Sequence, residues 1–547
     1  MPITTHEPRN SQPKNELERA AYPPFTDAHI AILDSFGERR TYSPGDVVFE
    51  VGQDSYDLCY IASGGISIID RTDGHTVVTL SAGNSVGELG MLMGQRTFFA
   101  GVAAEESELI VVPSSALQEL ISTQPELGDL IVSAFAARRR LIMEWGEGRL
   151  TIIGDPTNRK TLQLLEFATR SHVPHRFVDR TQDGWEAALG HHCGIPEGQC
   201  IALIGRDDML VDPSTRDVAS ALGLDLDAKA DALFDVLVVG AGPAGLAASV
   251  YSASEGLKVL TVEDTAIGGQ AGTSSRIENY LGFPRGISGA DLAYLGEVQA
   301  VKFGARFTVP RRATKLYCKE THYEVELDDQ RCVRTRAIIL ANGVQYRRLP
   351  LDNLEKLEGH GVYYAATELE ARFCKNTEVV IIGGGNSAGQ AAMFLSRHAK
   401  HVHLLIRRDS LSETMSSYLA TRILNDPSIT LWTQSEVCHL DGENRLEGVH
   451  IKNRQTGEVK TVDSRAMFIM IGAAPNTSWL DEQIALDEKG FVKTGADVGL
   501  ETRGYATSVP GIYAVGDIRS GSVKRVASAV GEGSVVVSAV HGYLNGG

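Results

Sequence analysis

From Asp235 to Glu263 the chain reads DVLVVGAGPAGLAASVYSASEGLKVLTVE. An apolar run, DVLVV, meets Gly240, Gly242 and Gly245, passes into an alanine-rich stretch, and ends in a second apolar run, KVLTVE. The pattern predicts strand, tight turn, helix and strand, one βαβ unit. In such a unit the first glycine permits the turn, the second lets a pyrophosphate approach the backbone, and the third lets helix pack on strand. Pro243 and Ala244 complete the turn, and the helix that opens there directs its positive end at the phosphates. Glu263 ends the second strand, 23 residues after Gly240, where a carboxylate can accept both hydroxyls of a ribose.

The same device recurs from Glu378 to Arg408 as EVVIIGGGNSAGQAAMFLSRHAKHVHLLIRR. Gly383, Gly385 and Ala388 form its turn, Asn386 and Ser387 open its helix, and its second strand runs out into Arg407 and Arg408. No acid stands at that end. A guanidinium pair makes charge-assisted bonds to a 2′-phosphate, whereas a bare ribose would lose its acceptor, so this turn reads as a site for NADPH rather than NADH. A solvated basic strand end is the alternative reading of the two arginines.

Two dinucleotide sites in one chain imply a hydride relay between a nicotinamide and a flavin. Four further stretches fit the flavin: AIGGQAGTSSRIENYLGFP from Ala266, AIILANG from Ala337, IGAAPNT from Ile471, and GIYAVGDIRSGSVKRVASAV from Gly511. In the last, a strand delivers Gly516 and Asp517 to a loop whose carboxylate can accept a ribityl hydroxyl. The helix after Arg525 aims its N-terminus at the pyrimidine end of the isoalloxazine, which gains negative charge on reduction.

On these motifs residues 232–547 resemble thioredoxin reductase, in which an FAD domain is split by an inserted NADPH domain. The resemblance rests on GGQ at 268–270, ENYLGFP at 278–284, GGGNSA at 383–388, the arginine pair and the GD at 516–517. It implies FAD contacts from Gly269, Gln270, Asn279, Gly343 and Asp517, NADPH contacts from Ser387, Arg407 and Arg408, and a homodimer. Two positions depart from the family: Asn342 replaces its Thr, and Val526 replaces its Gln.

A larger departure lies just before the NADPH strand, where the family carries Cys-Ala-Thr-Cys. Here Tyr363 to Cys374 reads YYAATELEARFC, and Ala365, Ala366, Thr367 and Glu368 occupy that register. Thiol–disulfide exchange needs a thiolate, so flavin electrons are expected to leave for an acceptor outside the chain. Relatives of this fold without the dithiol reduce ferredoxin; quinones, oxygen and small disulfides are the other candidates. Thr367 and Glu368 become the catalytic candidates, because a carboxyl over a flavin in an apolar site has a raised pKa and can manage a proton. The alternatives are a surface glutamate at 368, and for Cys374 either a redox group or a small apolar core residue.

Upstream, SPGDVVFEVGQDSYDLCYIASGGISIID and HTVVTLSAG are short alternating runs broken by Gly, Asp and Ser, which predict antiparallel strands in a small barrel. With the cassette Gly87, Glu88, Leu89 and Arg96 they resemble the cyclic-nucleotide-binding domain. That family uses the acid on the ribose and the arginine on the cyclic phosphate, roles that would fall on Glu88 and Arg96. This chain departs in placing Thr97, Phe98 and Phe99 after the arginine, so a ligand-free docking module is the competing expectation. Between Leu150 and Leu224 the order βα, β, ββα is similar to a thioredoxin or glutaredoxin fold. Its active-cysteine turn holds Gly154, Asp155, Pro156 and Thr157, which reads as a rigid spacer.

The whole chain of 547 residues is 43% hydrophobic and 22% charged, enough for several cores. The expected organisation is an α/β chain: a flexible tail at 1–22, a cyclic-nucleotide-binding-like domain at 23–146, a thioredoxin-like unit at 147–228, FAD-binding segments at 229–350 and 480–547, and an NADPH-binding domain at 351–479. A net charge of −17 argues against nucleic acid or anionic membrane as a general partner. The absence of a long apolar run and seven scattered cysteines without a CxxC point to reduced thiols and the cytoplasm. His191, His192, Cys193 and Cys200 match no common zinc spacing and read as ordinary loop or strand residues. Two rival functions stay open: a nucleotide or redox sensor in which turnover is incidental, and a disulfide reductase acting through a partner's cysteines.

Overall fold

The computed structural model describes residues 9–546, apart from 11–14, 54–55, 73, 157, 191, 193–197, 206–207, 225–231, 275–276, 278, 352, 359, 365, 367–370, 372–373, 444 and 501–503. They form two compact units. One comprises Met1–Gly343, Thr477–Asp487 and Val492–Gly547, the other Val344–Asn476 and Glu488–Phe491. Among the described residues, no helix is long and apolar enough to cross a membrane.

The first unit begins with a β-roll. One sheet orders Glu38–Tyr42, Ser107–Val112, Leu58–Ser63 and Ser85–Val86; the other orders Arg9–Asn10, Thr76–Ser81, Gly65–Ile69, Ala100–Ala103 and Val47–Phe49. Phe49, Ile61, Leu80 and Leu109 fill the space between them, as alternation along antiparallel strands requires. The 21-residue helix Pro125–Trp145 closes the roll.

Part of the expected tail is structured. Glu16–Ala21 is a helix capped by the Asn15 side chain, and Ala21 is fully buried with Ala137 and Leu141 of the closing helix. Arg138 donates to the Ala21 carbonyl at 2.8 Å, so a buried charge binds a segment whose polar composition alone suggests solvent.

The next module is a four-stranded sheet in the order His175–Asp179, Leu150–Gly154, Ile201–Ile204, Asp208–Val211. Its first pair is parallel and the other two are antiparallel, the thioredoxin-like arrangement. The helix Arg159–Arg170 starts at Asn158, whose side chain accepts from the N–H groups of Lys160 and Thr161.

A larger sheet follows, with Leu233–Val239 at its centre between Val259–Val262 and Cys332–Leu340, all parallel. Ile512–Ala514, from the far end of the chain, adds parallel to Cys332–Leu340. The strands are continuous apolar runs because helices cover one face and a second apolar cluster, with Trp479 and Leu480, covers the other.

The second unit carries a fully parallel sheet of Val362–Tyr363, Ser464–Ile469, Glu378–Ile382, His401–Leu405 and Ile429–Trp432. A three-stranded antiparallel sheet, Ser435–Asp441, Gly448–Asn453 and Val459–Val462, completes it.

Candidate functional site

In the first unit, three glycines meet three different demands at the turn before the helix Pro243–Ser254. Gly240 has φ +105°, and a Cβ there would lie 2.5 Å from the Ala341 carbonyl oxygen. A Cβ on Gly245 would lie 1.8 Å from the Gly240 oxygen, so helix and strand touch through it. At Gly242 a Cβ would meet nothing within 4 Å, so the backbone faces open space there. The helix starts without a side-chain cap and with Pro243 in its first turn, so no capping side chain takes up its first N–H groups.

Glu263 sits at the end of the neighbouring strand, and its carboxylate accepts the Ala241 N–H at 2.7 Å and the Thr265 N–H at 3.1 Å. Burial raises its pKa, with the two backbone bonds opposing. The GGQ loop lies over the turn: Gly268 donates to the Ala241 carbonyl at 2.8 Å, and a Cβ on Gly269 would be 3.1 Å from the Gly242 Cα. Gln270 and Asn279 are exposed beyond it.

The C-terminal segment joins the same place. A Cβ on Gly533, in the helix Val526–Leu544, would lie 2.2 Å from the Ala244 carbonyl oxygen, and one on Gly516 would lie 2.9 Å from the Ala244 Cβ. Glu532 fixes that loop by accepting the Gly516 N–H at 2.7 Å while paired with Arg519 at 2.6 Å. Asp517 is half-buried, and burial raises its pKa against the pull of Lys524. Gly343 adopts φ +58°, and the final helix opens at Arg525, itself exposed, without a side-chain cap.

In the second unit the turn repeats this construction. Gly383 has φ +148° with its Cβ position 2.4 Å from the Met470 carbonyl oxygen, Gly385 faces open space, and Ala388 is fully buried against the strand. Ser387 is exposed in the first turn of Asn386–Leu395, while the Asn386 side-chain oxygen accepts the Ser416 N–H at 2.8 Å. Arg407 is exposed. Arg408 forms an ion pair with Glu413 at 2.7 Å, both side chains about half exposed at 55% and 48%. Such a pair contributes little and yields to a better anion.

Of the register that replaces the dithiol, Ala365, Thr367 and Glu368 lie outside the described residues, and Ala366 is half-buried. Cys374 is fully buried in the core with Val379, Ile381 and Leu395.

The cassette residues of the β-roll make contacts within the protein itself. The Glu88 carboxylate, expected on a ribose, accepts two bonds from Arg139, at 2.6 and 2.8 Å, and one from the Tyr56 hydroxyl at 3.1 Å. Arg96, expected on a phosphate, is exposed and lies against the thioredoxin-like module, where a Cβ on Gly223 would be 2.9 Å from its Cδ. Gly87 has φ +150° and faces Phe135. Arg139, a buried arginine 51 residues downstream, needs a counter-charge, and Glu88 supplies it.

Arg139 was not singled out by the sequence, and it links three modules. Its side chain is 1% exposed; besides Glu88 it donates to Gln95 at 3.0 Å and to the His172 carbonyl at 3.1 Å. The His172 ring stacks on Tyr294 at 4.0 Å, and Tyr294, in the helix Gly289–Lys302, donates back to the Ala136 carbonyl at 3.0 Å. Burial, and Arg139 nearby, pull the His172 pKa down to about 4, so the ring is neutral at pH 7. Burial pushes the carboxyl of Glu297 up to about 8, with Arg139 opposing. The signal available in sequence was the run Arg138–Arg140 inside an apolar helix, where 3.6-residue periodicity turns two of the three inward.

Residues 234–533 match the family described as pyridine nucleotide-disulphide oxidoreductase, and residues 39–124 match the cyclic nucleotide-binding domain. The chain is similar to the thioredoxin reductase of Mycolicibacterium smegmatis, 33% identical over 299 residues that cover 55% of this chain and 93% of that one. It is also similar to the thioredoxin reductase of Streptomyces clavuligerus, 32% identical over 311 residues, 57% of this chain and 94% of that one. Among solved structures, the thioredoxin reductase from Streptococcus pyogenes MGAS5005 aligns with 58% of this chain and 99% of its own at 29% identity, with a TM-score of 0.47.

Proposed function

The chain belongs to the pyridine nucleotide-disulphide oxidoreductase family, and we propose that it works there as an FAD-dependent NADPH oxidoreductase whose flavin passes electrons to an acceptor outside the chain. The observation that carries this reading is a full pair of dinucleotide turns, open at Gly242 and Gly385, in a chain with no CxxC among its seven cysteines.

The residues fit FAD. Open space at Gly242 beside the uncapped start of the helix suits a pyrophosphate; Glu263 is bonded to the Ala241 N–H of that turn, and Gly516, next to Asp517, packs on Ala244. FAD, when bound, supplies acceptance of a hydride from the nicotinamide and release of the electrons singly or in pairs. The chain's own work is to bind and orient. The first turn of Pro243–Ser254 holds phosphate, Glu263 holds a ribose, and Asp517 holds a ribityl hydroxyl. The uncapped start of Val526–Leu544 favours negative charge at the pyrimidine end of the ring. Ser387 and Arg407 hold the nicotinamide coenzyme, its 2′-phosphate included. Glu368, with its sequence neighbour Thr367, is the candidate to hold or deliver the proton that accompanies the electrons; both lie outside the described residues.

Purified protein should be yellow, should bleach with NADPH under anaerobic conditions more readily than with NADH, and should regain colour with one of oxygen, a quinone, ferredoxin or a disulfide. Colourless protein that takes up no FAD would overturn the reading. A sensor reading gains its support from Arg139, which ties Glu88 of the β-roll to His172 and, through Tyr294, to the flavin-side helix. It is distinguished by turnover too slow to consume added NADPH with any of these acceptors.

A further inference from the structure

The turn that joins Gly65–Ile69 to Thr76–Ser81 meets the residues just after the closing helix Pro125–Trp145, and three metal-ligating side chains converge there. The carboxylates of Asp70 and Glu147 and the imidazole of His75 each place one ligand atom within 4.8 Å of the other two. Asp70 is 7% exposed and Glu147 9%, while the His75 side chain, at 27%, leaves a way in from solvent. His75 Nε2 stands 3.2 Å from a Glu147 carboxylate oxygen.

The backbone holds these ligands in place. The Asp70 N–H donates to the His75 carbonyl at 3.0 Å, and the Gly74 N–H donates to the Asp70 carbonyl at 2.8 Å, so the turn sets Asp70 and His75 side by side. One Asp70 carboxylate oxygen accepts the Thr72 N–H at 2.7 Å, which orients the carboxylate. Glu147 follows the helix end and donates its N–H to the Ile142 carbonyl at 3.2 Å. The next residue, Gly148, packs so closely on the thioredoxin-like module that a Cβ there would lie 2.3 Å from the Pro174 carbonyl oxygen.

Two carboxylates drawn out of water lose hydration and repel each other, and both need compensation. A protonated His75 offers one positive charge to the two. The cation of the same turn, Arg71, is committed to Glu50 by bonds of 2.9 and 3.0 Å. A divalent ion balances both acids and takes the imidazole in its neutral, ligating form. One nitrogen and two carboxylate oxygens suit a first-row transition metal such as Zn²⁺, with water at the remaining position. Ligand atoms about 2.0–2.2 Å from Zn²⁺ in a tetrahedron stand roughly 3.4 Å apart. His75 and Glu147 already have that spacing, and Asp70 has to close by no more than about 1.4 Å.

We propose that Asp70, His75 and Glu147 form a binding site for a divalent transition-metal ion, Zn²⁺ in the first instance, which staples the β-roll turn to the joint between the roll and the thioredoxin-like module.

Full-length protein stripped with a chelator and returned to metal-free buffer is titrated with Zn²⁺ by calorimetry and with Co²⁺ by visible absorption, beside His75→Ala, Asp70→Asn and Glu147→Gln. The parent should bind one equivalent of Zn²⁺ that each variant loses or holds at least about tenfold more weakly, with flavin content and circular dichroism as in the parent. Zn²⁺ should raise the melting temperature of the parent and not that of the variants. Three variants guard against one that does not fold. Equal Zn²⁺ stoichiometry and affinity in the parent and a folded variant would overturn the proposal. So would a parent whose melting temperature Zn²⁺ leaves unmoved, or a variant destabilised equally with and without the metal, the mark of a bare imidazole–carboxylate pair.

Discussion

Arg170 donates from Nη2 to the carbonyl of Gly269 at 2.8 Å, so the last turn of the thioredoxin-like module's helix holds the glycine loop that lies over the first dinucleotide turn. Its Nη1 is tied to Glu166 at 3.1 Å, and the guanidinium opposes the raised pKa of Glu263. The module thus touches the first dinucleotide turn through one cation.

Replacing that cation should loosen FAD without unfolding the chain. Arg170→Ala removes a side-chain anchor of the Gly269 carbonyl, a bond worth about 1.5–3 kcal/mol for a charged donor. The expected outcome is FAD affinity lowered roughly tenfold, read by titrating apoprotein with FAD, and Arg170→Lys should recover part of it. Unchanged affinity in Arg170→Ala would remove the module from any part in holding the flavin.

Two glycines three residues apart should fail in different ways. Gly242→Ala adds a methyl to open space at φ −70°, so the fold should persist while FAD binding falls, because the methyl stands where a pyrophosphate must approach. Gly245→Ala puts a carbon 1.8 Å from the Gly240 oxygen and should lower the melting temperature even without FAD. Thermal melts of the apoproteins, followed by FAD titration, separate the two.

The arginines at the end of the second turn should also differ. Arg408 already shares Glu413, and Arg407 is exposed beside it. Arg407→Ala should raise KM for NADPH about tenfold and leave NADH nearly unaffected, with a smaller effect from Arg408→Ala. Equal losses with both coenzymes would show that neither arginine reads the 2′-phosphate.

A pH effect follows from Glu297, which is 2% exposed and whose pKa is about 8 against an ordinary 4.5. Between those values the folded chain binds a proton that the unfolded chain has lost, so stability contributed by this group is complete below about pH 4.5 and declines as pH rises to 8. Glu297→Gln keeps the neutral state throughout. Its melting temperature should match the parent near pH 5 and exceed it by on the order of 5 °C at pH 8, since a tenfold change in proton affinity is worth about 1.4 kcal/mol. A difference independent of pH would place the carboxyl's ionisation elsewhere.

How much of this was legible differs by the kind of residue. Gly240, Gly242 and Gly245 were readable because each answers a local backbone demand that spacing alone encodes, and Glu263 was readable because a strand of fixed length delivers it. The pairing of Arg139 with Glu88 was not. Their partnership spans 51 residues and joins a helix to a loop, and nothing in either local pattern says that a family's ribose-binding acid will be claimed by a buried cation. The helix at Glu16–Ala21 escaped for the same reason, since its stability comes from Arg138 and the closing helix rather than from its own polar composition.

Sequence alone determined the two dinucleotide turns, the arginines that end the second, the absence of a CxxC among the seven cysteines, and the order of the modules, because glycine spacing, strand length and residue chemistry are local properties. Tertiary structure alone decided that Arg96 lies against Gly223, that Glu88 pairs with Arg139, and that Arg170 reaches Gly269. A buried charge takes whichever partner packing brings within about 3 Å, and that choice is made only when distant segments close on one another.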